Sequence, residues 1–207
     1  MEPSPIEYKP TSPVLFLGIC SLNKSPLSND EPYQKEQSIA AWLKDPQKEN
    51  LLYQTRKASF ELIFQGDLEN YGIPLAKHPL NRDLRRGADF NGTARAKYLP
   101  AIDRYTGRFY GGKGNDGRIY DLKTSLNGSS HHLLIISGLY GLLRPQEQIQ
   151  LYESPLEDLP EIQAIWKEGN RLTRLLSAYI KARGVRLVVD MTGQRAYHEM
   201  IDWPAIY

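Results

Sequence analysis

A single α/β domain, with a mostly parallel or mixed sheet flanked by helices, is the fold class that three observations predict. The chain has 207 residues and 41% hydrophobic content, enough for one well-cored domain of ordinary size. Short strand-like runs at 14–20, 133–136 and 185–191, the middle one of buried-strand character, alternate with longer segments of helical period. These runs end in polar or glycine-containing turns, as parallel strands do where they leave a sheet.

Met1–Pro13 is rich in proline and polar residues, with neither a basic start nor an apolar stretch. It reads as a loose lead-in rather than a signal peptide or membrane span, which places the domain at 14–207. Val14–Cys20, bounded by Pro13 and the turn Ser21-Leu22-Asn23-Lys24-Ser25, is the first strand. A helix is predicted over 51–65, with Asn50 as its cap, Gly66 as its stop, and Leu52, Ser59, Phe60 and Ile63 on one face. Residues 72–92 are broken by Gly72, Pro74, Pro79, Gly87 and Gly92. A helix opening at Asn91 or Gly92 is then expected to reach Tyr98 before Pro100 interrupts it.

Leu133–Ile136 is a second strand, and it runs straight into Ser137-Gly138-Leu139-Tyr140-Gly141-Leu142-Leu143-Arg144-Pro145. Two glycines there would let the backbone approach a ligand closely. Asp158 as cap, Pro160 in the first turn and Glu161 reaching back predict a helix that continues to Arg183 before Gly184. Its buried stripe is Ile162, Ile165, Trp166, Leu172, Leu176, Tyr179 and Ile180. Val185–Met191 is the third strand, and 194–201 a short helix. With parallel crossovers, the strand ends near Ser21, Ser137 and Thr192 gather on one rim of the sheet, where open α/β folds bind ligands.

Net charge is +2, yet from Lys77 to Arg118 ten Lys and Arg face only four Asp. Phe90, Tyr98, Tyr105, Phe109 and Tyr110 are interleaved with these cations, a mixture suited to neutralising phosphates and stacking bases. A solvated basic surface would carry the same pattern. The lone Cys20 allows neither an internal disulfide nor a CxxC metal site; it reads as a small buried residue in a reducing cytoplasmic compartment.

Ser21-Leu22-Asn23-Lys24 has the S-x-x-K spacing in which a lysine activates a serine, but the S-D-N and K-T-G partners of that chemistry are missing from the sequence. Lys24 nonetheless suits an anion, placed in a polar turn after a strand. Gly112-Lys113-Gly114-Asn115-Asp116-Gly117 has dinucleotide-fingerprint spacing without the strand before it or the helix after it. It reads as a loop or hairpin, and no cofactor is expected. His131-His132 lacks a third ligand at a recognisable spacing, so no metal site is expected.

Taken together, the segment from Asn91 to Tyr110, the segment Ser137–Pro145, and then Gln150 and Tyr152 resemble the YaaA-type peroxide-stress protein family. The turn Ser21-x-x-Lys24-Ser25 is similar to that family's Ser-Pro-Ala-Lys-Thr, and Tyr105-Thr106-Gly107 to its Tyr-Thr-Gly. Ser137–Pro145 is similar to its Ser-Gly-Leu-Tyr-Gly-x-Leu-Arg-Pro. The resemblance implies a cytoplasmic, YaaA-like α/β protein that binds DNA and protects against hydroperoxide damage by limiting free iron. Leu22-Asn23 departs from the family's Pro-Ala, and no helix-hairpin-helix is recognisable, Tyr71-Gly72-Ile73-Pro74 being the nearest fragment. Typical members also continue beyond the point corresponding to Tyr207.

Two functional readings stay open. In the first, Arg95, Arg104 and Arg108 contact DNA phosphates and the aromatics support unstacked bases. In the second, the strand ends form an enzyme pocket for a nucleotide or nucleobase, with glycosidic or phosphate chemistry. Lys24 and Arg144 would hold phosphate, while Ser21 and Ser137 orient a sugar or base. Tyr105 or Tyr140 would stack or transfer a proton, with Asp103 and Asp190 as candidate carboxylates. Thr106, Gly107, Gly138 and Gly141 are candidate binding residues beside them, although in the DNA reading the Ser137 turn serves as a structural hinge. DNA or a nucleotide is the expected partner, and no membrane is.

Overall fold

Strands and helices follow in the order β1 (Val14–Ile19), α1 (Ala40–Leu43), α2 (Pro46–Phe64), β2 (Glu69–Asn70), β3 (Ile73–Pro74), β4 (Leu99–Pro100), α3 (Ala101–Arg104), β5 (His132–Ser137), β6 (Gly141–Leu143), β7 (Gln148–Ile149), α4 (Pro160–Lys167), α5 (Arg171–Arg183), β8 (Leu187–Asp190) and α6 (Arg195–His198). The computed structural model describes residues 12–29, 31–66, 68–70, 72–87, 89, 92–111, 122 and 130–206, without the side chain of Arg108. Most of the N-terminal lead-in, Tyr71, Phe90, Asn91, Arg118 and the Gly112–Gly117 loop therefore lie outside the described residues.

The main sheet has the order β6-β5-β1-β8. β1 pairs in parallel with both β5 and β8, so that Leu17 stands beside Leu134 on one side and Asp190 on the other. This is the mixed α/β sheet the sequence predicts, with its three expected strands all parallel. β5 is buried from Leu133 to Ser137, as a strand covered on both faces requires, whereas β8 is an edge with Leu187 exposed. β6 is antiparallel to β5, with Ser137 opposite Gly141.

α2 begins earlier than predicted. Asp45 accepts hydrogen bonds from Gln47 N (2.9 Å) and Lys48 N (3.3 Å), and Pro46 occupies the first turn, so Asn50 lies inside the helix rather than capping it. The face read from the sequence, Leu52, Ser59, Phe60 and Ile63, is buried. The long helix predicted to end at Arg183 is two helices, because Gly169 (φ 56°) and Asn170 (φ 54°) are left-handed and break it. Leu159 rather than Asp158 precedes the first of them, Asp158 closing a short 3-10 turn.

No helix forms over 92–98. Gly92 and Arg95 have positive φ, and Thr93 and Tyr98 turn their hydroxyls to the buried Asp89 instead. Among the described residues no helix is long and apolar enough to cross a membrane.

Candidate strand-end site

The carboxyl ends of β1 and β5 are tied together where Cys20 N donates to Ile136 O (2.8 Å). The turn after β1 then runs beside the end of α3, since Ser25 N donates to Arg104 O (2.7 Å) and Thr106 N to Asn23 O (3.0 Å). Three hydroxyls line up behind this turn: Tyr105 to Tyr152, and Tyr152 to Ser137, each at 2.7 Å. Ser137 Oγ also accepts from Tyr140 N (3.1 Å), which fixes the turn that follows β5.

Lys24 is the cation of this end. Its side chain is 3% exposed, its Nζ lies 3.5 Å from Glu153 Oε2 and 4.8 Å from the centre of the Tyr152 ring. A lysine so enclosed needs that carboxylate and ring to replace lost hydration. In front of it lies a cavity of about 250 Å³, walled by Cys20, Ser21, Lys24, Ser154, Glu157 and Tyr197. A neighbouring cavity of about 270 Å³ shares Cys20 and Ser21 and is bounded by Gly107, Phe109 and Thr192.

Within the first cavity Tyr197 donates to Glu157 Oε2 (3.1 Å) and lies 3.3 Å from Cys20 Sγ. Burial first, then the contacts with Cys20 and with the Glu157 carboxylate, raise the Tyr197 hydroxyl above the ordinary phenol range. Burial likewise lifts Tyr105 and Tyr152 well above it, so at neutral pH all three phenols are neutral hydrogen-bonding groups. Burial also pushes the Cys20 thiol up, only partly offset by Lys24, Tyr197 and the Gly138 backbone. Cys20 thus stands in the cavity wall as a protonated thiol in contact with the Tyr197 hydroxyl. Ser154 Oγ is different: it is buried and has no hydrogen-bond partner among the described residues.

The structure thus brings together Ser21, Lys24, Tyr105 and Ser137, with Thr106 and Gly107 beside them. It sends several other expected residues elsewhere. Arg104 turns inward at 1% exposure, donating to the carbonyls of Ser25, Leu27 and Ile149, and burial lowers its pKa. Tyr140 is fully buried, with its hydroxyl donating to Asp89 and accepting from Gln150 N. Asp103 is half-buried on α3, and Asp190 is held by Thr192 N and His198. Arg95 is exposed.

Arg144 stands at the opposite end of the sheet. The antiparallel β6 carries the chain back along β5, so Arg144 reaches Trp42 and the His132 end of the strand. Glycine roles shift as well. A side chain at Gly138 would strike the Ser154 carbonyl, and one at Gly141 (φ +67°) the Trp166 ring; both serve close packing within the protein. The residues that sequence reasoning missed as site residues are Glu153, Ser154 and Glu157, with Tyr152 and Tyr197. They sit in an aperiodic run or a short helix, and only their spacing to strand ends could have pointed to them.

The family model for Peroxide stress protein YaaA matches residues 74–207. The chain belongs to the peroxide stress protein YaaA family. A UPF0246 protein of Burkholderia thailandensis is 31% identical over 140 residues, covering 64% of this chain and 50% of the relative. The chain spans about half the length of that relative. The YaaA match contains Tyr105, Ser137, Tyr152, Glu157 and Tyr197, whereas Ser21 and Lys24 precede it.

Proposed function

We propose that this YaaA family member acts in the cytoplasmic response to hydroperoxide by binding DNA, with exposed cations between residues 77 and 97 on the phosphates. The observation that carries this reading is the placement of those cations around one buried carboxylate. Asp89 accepts from Thr93, Tyr98 and Gln150, while Gln150 holds the backbone of Arg85 through both N and O. Two loops bearing the exposed Arg85, Arg86, Arg95 and Lys97 are thereby anchored to the same point. Among the described residues, only Arg86 of these four has a carboxylate partner, Glu61 at 3.0 Å. Cations free of partners are the groups that displace counterions from a nucleic-acid backbone.

The test is binding of an oligonucleotide as a function of salt. Replacing Arg85, Arg95 and Lys97 by Ala should weaken binding across sequences and flatten the log K against log salt slope by about 3. An affinity that ignores salt, or a triple variant indistinguishable from the parent, would overturn the reading.

A second reading is favoured by the unpartnered Ser154 Oγ, a buried hydroxyl on a residue that lines the cavity together with Lys24 and Glu157. Here the cavity takes a nucleotide or nucleobase, with Lys24 on an anionic group, Ser154 on a polar edge and Glu157 as the proton-accepting carboxylate. Nucleoside monophosphates should raise the melting temperature of the parent but not of Glu157→Gln or Lys24→Ala. A shift that survives both substitutions would place the ligand elsewhere.

A further inference from the structure

At the amino end of β5, away from the strand-end site, Trp42, His131, His132, Arg144 and Tyr179 surround a cavity of about 310 Å³. Arg144 stacks on Trp42 with its guanidinium carbon 3.5 Å from the ring centre, and Arg183 approaches the same residue at 3.9 Å. Stacking satisfies the flat faces of a guanidinium but not its N–H edges. Arg144 Nη1 donates to Gln37 O (3.0 Å) and its Nη2 to the exposed Gln146 Oε1 at a long 3.5 Å, a contact that an anion would have to displace, while Arg183 Nη2 donates to Trp42 O (3.3 Å). Arg183 Nε is buried without a partner among the described residues.

Neither arginine has a carboxylate within ion-pair distance among the described residues. Glu147 is the acid of this region, and its oxygens already serve Arg56 (2.6 Å), Ser38 Oγ and Ile39 N (both 3.0 Å). The two guanidiniums act on their neighbours accordingly. Burial and then Arg183, Arg144 and His131 hold His132 below the ordinary imidazole range, while Tyr179, its hydroxyl 2.7 Å from His132 Nδ1, is pushed up to about 12 by burial. An electropositive concavity with a forked donor, imidazoles and a protonated phenol is a set of groups matched to a compact oxyanion.

We propose that this cavity is a binding site for a phosphate monoester, gripped by the Arg144 fork and flanked by His132 and Tyr179, with Arg183 supplying charge from behind Trp42. Its size is at the lower end of small-ligand pockets, which suits a phosphate with a small body attached. The site shares no residue with the cationic loops proposed to hold DNA, so each proposal can fail alone.

Inorganic phosphate titrated into the full chain, with ionic strength held constant by chloride, tests it by calorimetry and thermal shift. Saturable binding beyond the chloride control is expected. Arg144→Gln should weaken it by about tenfold or more, while Arg195→Gln, which removes an equal charge from an exposed pair, leaves it intact. Should Arg144→Gln fold poorly, the parent alone decides: phosphate should move the His132 ring titration, followed by NMR, to higher pH. Ribose 5-phosphate competing with phosphate identifies a free ligand. Competition only by a 5′-phosphorylated oligonucleotide, and not by its 5′-hydroxyl twin, identifies a nucleic-acid end. No binding beyond chloride, unchanged affinity in Arg144→Gln, an unmoved His132 titration, or equal competition by both oligonucleotides would each overturn the proposal.

Discussion

The two rims of the central sheet handle charge in opposite ways. Where β1 and β5 end, Lys24 faces Glu153, and Tyr105, Tyr152 and Ser137 pass hydrogen bonds among themselves. Where β5 begins, Arg144 and Arg183 crowd Trp42 with no ion-pair partner among the described residues. One continuous segment feeds both rims: Ser137 closes β5 at the first, and β6 returns Arg144 to the second. Proximity in sequence therefore says little about which site a residue joins. The matched rim is built to hold neutral hydroxyls and a paired lysine in place, and the unmatched rim leaves positive charge for something else to answer.

The largest expected effect comes from loosening the return that separates the rims. Arg56, fully buried, donates through Nε to Tyr140 O (2.9 Å), through Nη2 to Leu142 O (2.8 Å), and through Nη1 to Glu147. Burial alone would lower its pKa, but Glu147 more than compensates and holds it above the usual value. Glu147→Ala removes the carboxylate 2.6 Å from that buried guanidinium, and a loss of roughly 3–5 kcal/mol in denaturant unfolding is expected. It should also raise the positive charge felt at the Arg144 rim. A loss below about 1 kcal/mol would mean that packing alone holds the hairpin.

What is legible in the sequence divides along physical lines. β1 and β5 are readable because short apolar runs, closed by turn residues, suit strands within a sheet, and the edge strand β8 because Leu187-Val188-Val189 stands between a glycine and a polar turn; Ser21, Lys24 and Ser137 follow from where parallel strands end. β6 is not, because Gly141-Leu142-Leu143 is too short to show a period, and with it goes the true position of Arg144. Arg104 counts toward a basic surface in the sequence, yet carbonyls from Ser25, Leu27 and Ile149 draw it inside. Local patterns cannot reveal such distant partners. The same holds for Asp89 and for Arg56 with Glu147, whose pairings are fixed only once strands and loops have come together.

A smaller effect probes the unmatched rim directly. His132 has its pKa lowered in the folded chain from an ordinary 6.5, by burial first and then by Arg183, Arg144 and His131. The unfolded chain then takes up this proton more readily than the folded one, so His132 leaves stability untouched well above 6.5 and erodes it as pH falls through that value toward the folded pKa. Stability of the parent should decline more steeply than that of His132→Asn between about pH 7 and pH 5, by less than the Glu147 substitution costs. Any hydrogen bond to Tyr179 lost in the variant shifts its curve uniformly and does not alter the slope. Saturating phosphate should shrink the difference in slope, since an anion in the cavity offsets the arginines that disfavour imidazolium. Parallel curves without phosphate would show that neither burial nor the two guanidiniums disfavours imidazolium at His132, and the contrast between the rims would then be one of geometry rather than of charge.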